Sequence, residues 1–227
     1  ADGSEMDWKA TVPNGVSVGV PGTVRGWHEA LTRYGTMSLA RVLAPAIRVA
    51  EDGFEVGANF HRINKANEAK FARFSTASAL YLQDGKALPV GTRFHNPDLA
   101  QTYRDLARGG VKAFYEGPIA ASMVAAVNHP PANPGVTVLA GSLSMADLKD
   151  YEARLRQPVR SSYRGYEVYG MPAPSSGGIA VAQALNILET FELTGKSRAD
   201  IEHLYLEASR LAFADRNAYV ADEEFID

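Results

Sequence analysis

Hydrophobic positions along most of this chain recur at three- and four-residue intervals, the spacing that gives a helix one apolar face. From Gly22 to Tyr34 the stripe is Val24, Trp27, Leu31 and Tyr34, and Gly35 ends it. Ser38 is placed to cap a second helix, whose stripe runs Leu39, Val42, Leu43, Ala46, Ile47 and Ala50, with Gly53 just past its end. Pro45 lies inside that helix, where its missing N–H predicts a kink or a tightened turn. The pattern weakens from Ala58 to Phe74, a stretch carrying His61, Arg62, Lys65, Lys70 and Arg73 that reads as a solvated helix face. Asn96-Pro97-Asp98 joins a capping side chain, a proline at the first helical position and an early acid, and so predicts a helix start. Leu99, Tyr103 and Leu106 follow in register, and Gly109-Gly110 predict the stop. Another helix follows Gly117-Pro118, with Ile119, Met123, Ala126 and Val127.

Period-two alternation is confined to two places. VSVGV (16–20) predicts a short strand or an extended lead-in, and PVRSSYRGYEVYG (158–170) predicts a hairpin that turns at Arg164-Gly165. HPPANPG (129–135) reads as a rigid, non-helical loop. Ser144 and Ser197 each precede an aspartate three residues on, Asp147 and Asp200, which is the capping-box arrangement. Two helices close the chain, and no repeat interrupts the order. The predicted fold class is therefore α+β and mainly helical, with strands near 16–20 and 158–171. The expected organisation is an extended polar lead-in over 1–21, a helical domain over 22–157, and a hairpin with two helices over 158–227.

Composition narrows the function classes. The hydrophobic fraction of 46% and charged fraction of 22% are those of a globular protein. With 23 basic and 26 acidic residues interleaved, the net charge of −3 leaves no electrostatic footprint for nucleic acid. Cysteine is absent, which excludes disulfides, thiolate metal sites and a cysteine nucleophile. No apolar run approaches the ~18–20 residues of a membrane span. Histidines at 28, 61, 95, 129 and 203 have neither the spacing nor the nearby acids of a metal site, so neither metal nor cofactor is expected. ADGSEMDWKA, at the start, has neither an initiator Met nor a signal-peptide pattern, and reads as part of something longer or as a processed product.

Two places carry candidate chemistry. GMPAPSSGG (170–178) sits between the predicted hairpin and a helix. Ser175, Ser176, Gly177 and Gly178 there would expose backbone N–H groups at a positive helix end, suited to a carboxylate or phosphate. Equally, a serine could cap the helix while the glycines permit close packing on the sheet. The turn is neither a phosphate-binding P-loop nor a nucleophile elbow, since G-x-x-x-x-G-K-[ST] and G-x-S-x-G are both missing. In the last helix Asp215 shares a side with Ile201, Leu204, Tyr205, Ala208, Ala212 and Tyr219, and Arg216 lies at its edge. A carboxylate on an apolar face needs a partner, so Asp215 and Arg216 are expected to form a structural ion pair with partners across an interface, Arg210 or groups elsewhere. No catalytic residue is identified in the chain.

Five blocks in order resemble the large subunit of the γ-glutamyltranspeptidases (glutathione hydrolases). They are VSVGVPGTVRGWHEALTRYGTMSLARVLAPAIRVAEDGFEV (16–56), GGVKAFYEGPIAASMV (109–124), SMADLKDYEARLRQPVRSSYRGYEVYGMPAPSSGG (144–178), NILE (186–189) and EASRLAFADRNAYVAD (207–222). The resemblance implies an N-terminal nucleophile hydrolase, an αββα sandwich formed by autocleavage of a proenzyme. It implies a heterodimer with a catalytic small subunit whose N-terminal threonine attacks the γ-glutamyl amide of glutathione or a related donor. Water, an amino acid or a peptide then accepts the group. It also implies an extracytoplasmic location, periplasmic or secreted in bacteria.

The chain departs from a complete enzyme of that kind. The family's cleavage motif is Thr-x-His-x-[Ser/Thr], and no threonine here has His two positions on. The large-subunit arginine that grips the donor carboxylate lies in an Arg-Glu motif upstream of the VGVPGT block, and residues 1–15 contain no arginine. Position 173, often proline in the family, is alanine. The expectation is a large-subunit fragment, inactive alone, whose Ser175–Gly178 turn shapes the donor site. A β-lactam acylase or a capsule transpeptidase of the same superfamily, or a non-catalytic helical binding module, are the alternatives.

Overall fold

The computed structural model describes Asp7 and residues 11–226. Backbone contacts divide the chain into two compact units that meet between Ala153 and Arg154.

In the first unit, α1 (Thr23–Tyr34), α2 (Leu39–Asp52), α6 (Pro97–Tyr115), α7 (Pro118–Asn128) and α8 (Met145–Asp150) build the core. Between α2 and α6 run β1 (Phe54–Glu55), α3 (Ala58–Ala66), α4 (Glu68–Phe71), α5 (Ser75–Tyr81), β2 (Leu82–Gln83), β3 (Lys86–Ala87) and β4 (Arg93–Phe94). Start signals read from the sequence are made as drawn: Ser38 Oγ accepts from the Arg41 N–H and Asn96 Oδ1 from the Leu99 N–H. At α8 the full capping box forms between Ser144 and Asp147. The core joins Val24, Leu43, Leu106, Tyr115, Ala120, Val127, Leu143 and Leu148. At about 25 cal/mol per Å² of apolar surface, such burial is the main term opposing chain entropy.

Tyr115 organises the entry to α1. Its side chain is fully buried, its hydroxyl donates to the Pro21 carbonyl at 2.6 Å, and it accepts from the Arg25 N–H at 3.2 Å. The Arg25 guanidinium lies 4.7 Å from the Tyr115 ring centre and Nε donates to the Tyr151 carbonyl. A Cβ at Gly22 would lie 2.2 Å from the Tyr151 hydroxyl, so a side chain there would have to displace the Tyr151 ring. Trp27 and Tyr34, placed on the stripe of α1, are exposed, and Val24 alone is buried.

Two expectations are corrected here and one is met. Residues 16–20 form no strand: Gly15–Ser17 is a 3₁₀ turn followed by extended backbone. The reason is that Gly15 N–H goes to the Leu139 carbonyl and Asn14 Oδ1 takes the Leu139 N–H, a single loop contact rather than a ladder. Gly109-Gly110 stop their helix as expected: Gly110 takes φ 60° and ψ −157°, outside the helical region, and a second helical stretch follows it to Tyr115. The 58–74 stretch breaks at Asn67 into α3 and α4, and its polar residues are not all solvated. His61 Nδ1 lies 2.7 Å from the Leu88 carbonyl, and Arg73 donates to the Thr137 carbonyl.

The second unit, over 154–226, holds β5 (Val159–Tyr163), β6 (Tyr166–Gly170), α9 (Gly177–Glu189) and α10 (Arg198–Tyr219). β5 and β6 pair antiparallel, with Tyr163 opposite Tyr166. Arg164 (φ 49°) and Gly165 (φ 84°) supply the consecutive left-handed residues that a two-residue hairpin demands. Among the described residues no further strand joins either edge. Val159, Ser161, Tyr163, Val168 and Gly170 alternate as the shielded face; Arg160, Ser162, Glu167 and Tyr169 face out. α9 packs on the hairpin and α10 on α9.

Candidate functional site

The turn between β6 and α9 is built by close approach of backbone to backbone. Beyond Gly170 the chain bends through Met171, Pro172, Ala173 and Pro174, with a cis bond at Ala173–Pro174, and Ser175 N–H returns to the Pro172 carbonyl. A Cβ on Gly178 would lie 2.3 Å from the Met171 carbonyl oxygen and 2.8 Å from the Gly170 carbonyl carbon. Gly178 is therefore what lets the first turn of α9 sit on the end of β6. Gly177 is different: a Cβ there meets nothing nearer than Ser175 Oγ at 4.0 Å.

Neither serine caps the helix by the expected route. Ser176 stands at the N-cap position, but its backbone is αR (φ −83°, ψ −12°) and its side chain makes no cap bond. N-caps usually have extended backbone, which turns the hydroxyl toward the N2 or N3 amide. Ser176 Oγ instead accepts from Arg216 Nε at 2.9 Å, across from α10. Ser175 is exposed and Ser176 half-buried. The first amides of α9 thus lack a side-chain cap at the positive end of a helix, where an anion is favoured by about 0.3–1 kcal/mol.

Asp215 and Arg216, expected to meet partners across an interface, lie on the surface of this chain. Both are exposed, and neither forms a salt bridge among the described residues. Asp215 accepts from Gln183 Nε2, and Arg216 also donates to Asn217 Oδ1 at 2.7 Å. Arg210, the partner proposed from sequence, pairs with Glu207 on its own helix. The apolar side drawn from helical periodicity is only partly used: Ala208 and Ala212 are buried, while Tyr205 and Tyr219 are exposed. A carboxylate therefore needs no buried countercharge there.

On the other side of the turn, Pro172 and Ala173 border a cleft with Arg154, Leu155, Arg156, Gln157, Glu223 and Glu224. Arg156 is the electrostatic centre, within 3.3 Å of Asp222, 2.7 Å of Glu223 and 3.2 Å of Glu224. Sequence reading missed this cluster, although the acidic run ADEEFID was its signal. Gln183 and the Arg216–Ser176 bond were missed because residues distant in sequence meet there without a local pattern. Among the described residues no group of three His, Asp or Glu side chains could hold a metal ion, and no helix is long and apolar enough to cross a membrane.

What the turn supports chemically is binding and orientation: uncapped amides, a hydroxyl and a guanidinium, with no base or nucleophile in hydrogen-bonding order. Similarity to known proteins supplies the context. The family model described as gamma-glutamyltranspeptidase matches residues 2–227. The chain is 40% identical over 212 residues to the Acylase ACY 1 proenzyme of Pseudomonas sp. (strain V22), covering 92% of this chain and 36% of that protein. It is 34% identical over 228 residues to the Glutathione hydrolase proenzyme of Escherichia coli (strain K12), covering 99% of this chain and 38% of that protein. The crystal structure of Helicobacter pylori gamma-glutamyltranspeptidase superposes with a TM-score of 0.86 at 31% identity, over 98% of this chain and 62% of that one. The chain thus spans little more than a third of the length of these curated relatives.

Proposed function

The chain belongs to the γ-glutamyltranspeptidase family, and from that premise we propose that it frames the donor site of a γ-glutamyltransferase and glutathione hydrolase without supplying the nucleophile. Its α+β, mainly helical architecture is that of the family's large subunit. The nucleophile is the N-terminal threonine of a catalytic small subunit cut from the same precursor. That hydroxyl attacks the γ-glutamyl carbonyl, its proton passes to the threonine's own α-amine, and a γ-glutamyl ester forms as the amine leaves with a proton. Water hydrolyses the ester, or an amino acid or peptide takes the acyl group. Glutathione is the typical donor, and the setting is extracytoplasmic.

The observation that carries this reading is the turn itself. Gly178 packs against Met171 so tightly that the helix start is fixed, and its first amides are not consumed by the Ser176 side chain. A fixed set of donors suits the carboxylates of a γ-glutamyl compound. Two further points favour a second polypeptide: no threonine among the 227 residues has His two positions on, and both edges of the β5–β6 hairpin are open among the described residues.

A second reading, an acylase acting on β-lactam side-chain amides, is favoured by the 40% identity to the Acylase ACY 1 proenzyme. The two readings share the nucleophile and differ in the donor. The complete gene product, offered a γ-glutamyl anilide and a cephalosporin amide in parallel, decides between them. Release of the anilide chromophore with little attack on the cephalosporin supports the transferase reading; the reverse preference supports the acylase. The 227-residue chain alone releases neither.

A further inference from the structure

We propose that Arg216 is a positioning residue for the donor site: by holding the Ser176 hydroxyl it sets the turn that starts α9. The inference rests on the reading of the turn given above, but the geometry behind it is independent of any substrate.

A serine at the start of a helix ordinarily spends its hydroxyl oxygen on the helix's own amides. Ser176 spends it on α10, accepting from Arg216 Nε at 2.9 Å. Its αR backbone matches that diversion, since it turns the side chain away from the N2 and N3 amides. The guanidinium is itself held in place. Nη1 donates to Asn217 Oδ1, and its carbon lies 6.0 Å from the Phe213 ring centre. The preceding residue, Asp215, takes the Gln183 amide, about two turns further along α9. Two consecutive residues of α10 therefore grip α9 at its N-cap residue and again in its second turn.

This grip answers a question the glycines leave open. The Gly170–Gly178 contact fixes how near α9 comes to β6, but a bare glycine contact does not fix rotation about the helix axis. The Arg216–Ser176 and Asp215–Gln183 bonds supply that constraint from the side. Rotation of α9 would redirect its first amides, the groups a donor carboxylate would meet. Arg216 acts on the donor through Ser176 rather than by contact with the reacting atoms.

The test uses Arg216→Gln, Arg216→Lys, Ser176→Ala and the Arg216→Gln/Ser176→Ala double variant. Amide hydrogen exchange at residues 176–180 is measured on each chain. In the complete gene product, KM and kcat are measured for a γ-glutamyl anilide. We expect faster exchange in all single variants, and a KM for the anilide raised about five-fold with a smaller change in kcat. The lysine variant should resemble the glutamine one, because it keeps the charge but not the Nε geometry, and the double variant should be no worse than the poorer single. Thermal midpoints near that of the parent separate this result from unfolding, and Ser176→Ala, a loss of one oxygen, tests the bond if the arginine variants fold poorly. Unchanged exchange in Ser176→Ala, a lysine variant equal to the parent, or additive effects in the double variant would overturn the proposal. If the unaltered gene product turns over no γ-glutamyl donor, the functional reading fails while the exchange result still decides the role of Arg216.

Discussion

The Cα of Gly178 lies where a side chain on Gly170 would have to go: a Cβ built on Gly170 falls 2.5 Å from it. This contact between the end of β6 and the first turn of α9 makes Gly178 and Gly177 unequal, although they are adjacent and chemically identical. Gly178→Ala should destabilise the chain by about 2 kcal/mol or more, because backbone on both sides must move. Gly177→Ala, with open space and no left-handed backbone, should be neutral or stabilising by up to about 1 kcal/mol. Denaturant midpoints of the two variants check the ordering.

Tyr115→Phe removes a buried hydroxyl that bonds Pro21 and Arg25, leaving the Pro21 carbonyl without that donor. The expected loss is about 1–3 kcal/mol. The change should also loosen the bend at residues 20–25, read as faster amide exchange at Arg25.

The same phenol gives a pH dependence. Burial pushes its pKa above the ordinary 10.0, against the opposing hydrogen bond and charge of Arg25, with Tyr151 adding to the rise. The folded state therefore binds this proton more tightly than the unfolded chain. That contribution to stability is complete below the unfolded pKa and disappears as pH climbs through the higher folded value. Stability of the parent should fall above pH 10 more steeply than that of Tyr115→Phe, measured by denaturant titration across that range.

Arg156→Ala should leave the thermal midpoint nearly unchanged while exposing the segment 220–226. Its ion pairs with Glu223 and Glu224 involve exposed carboxylates, and such pairs contribute about 0–1 kcal/mol each. They do, however, tie a segment without regular structure to the start of the second unit. Limited proteolysis should cut within 220–226 faster in the variant, and added salt should produce the same effect in the parent.

How much of this was legible in the sequence depended on the range of each interaction. Ser38, Asn96 and Ser144 announced their helices correctly because a cap is decided within a few residues. Arg164-Gly165 announced the hairpin for the same reason. At residues 16–20 the alternation misled, since a strand needs a partner and Leu139 offered only a single point of attachment. At Asp215, helical periodicity placed the residue on an apolar side, yet Tyr205 and Tyr219 on that side are uncovered in this chain, because periodicity marks a face without saying what packs on it. The Ser176–Arg216 bond joins residues far apart in the chain, and the two serines gave no sign of which one would be taken or by what.

The most direct test of the central claim is the intact mass of the complete gene product, measured before and after incubation. If these residues frame a donor site completed by a second polypeptide, one mass should become two, the smaller beginning with threonine and the larger containing residues 1–227. A mass that stays whole while the protein turns over a γ-glutamyl donor would contradict that account.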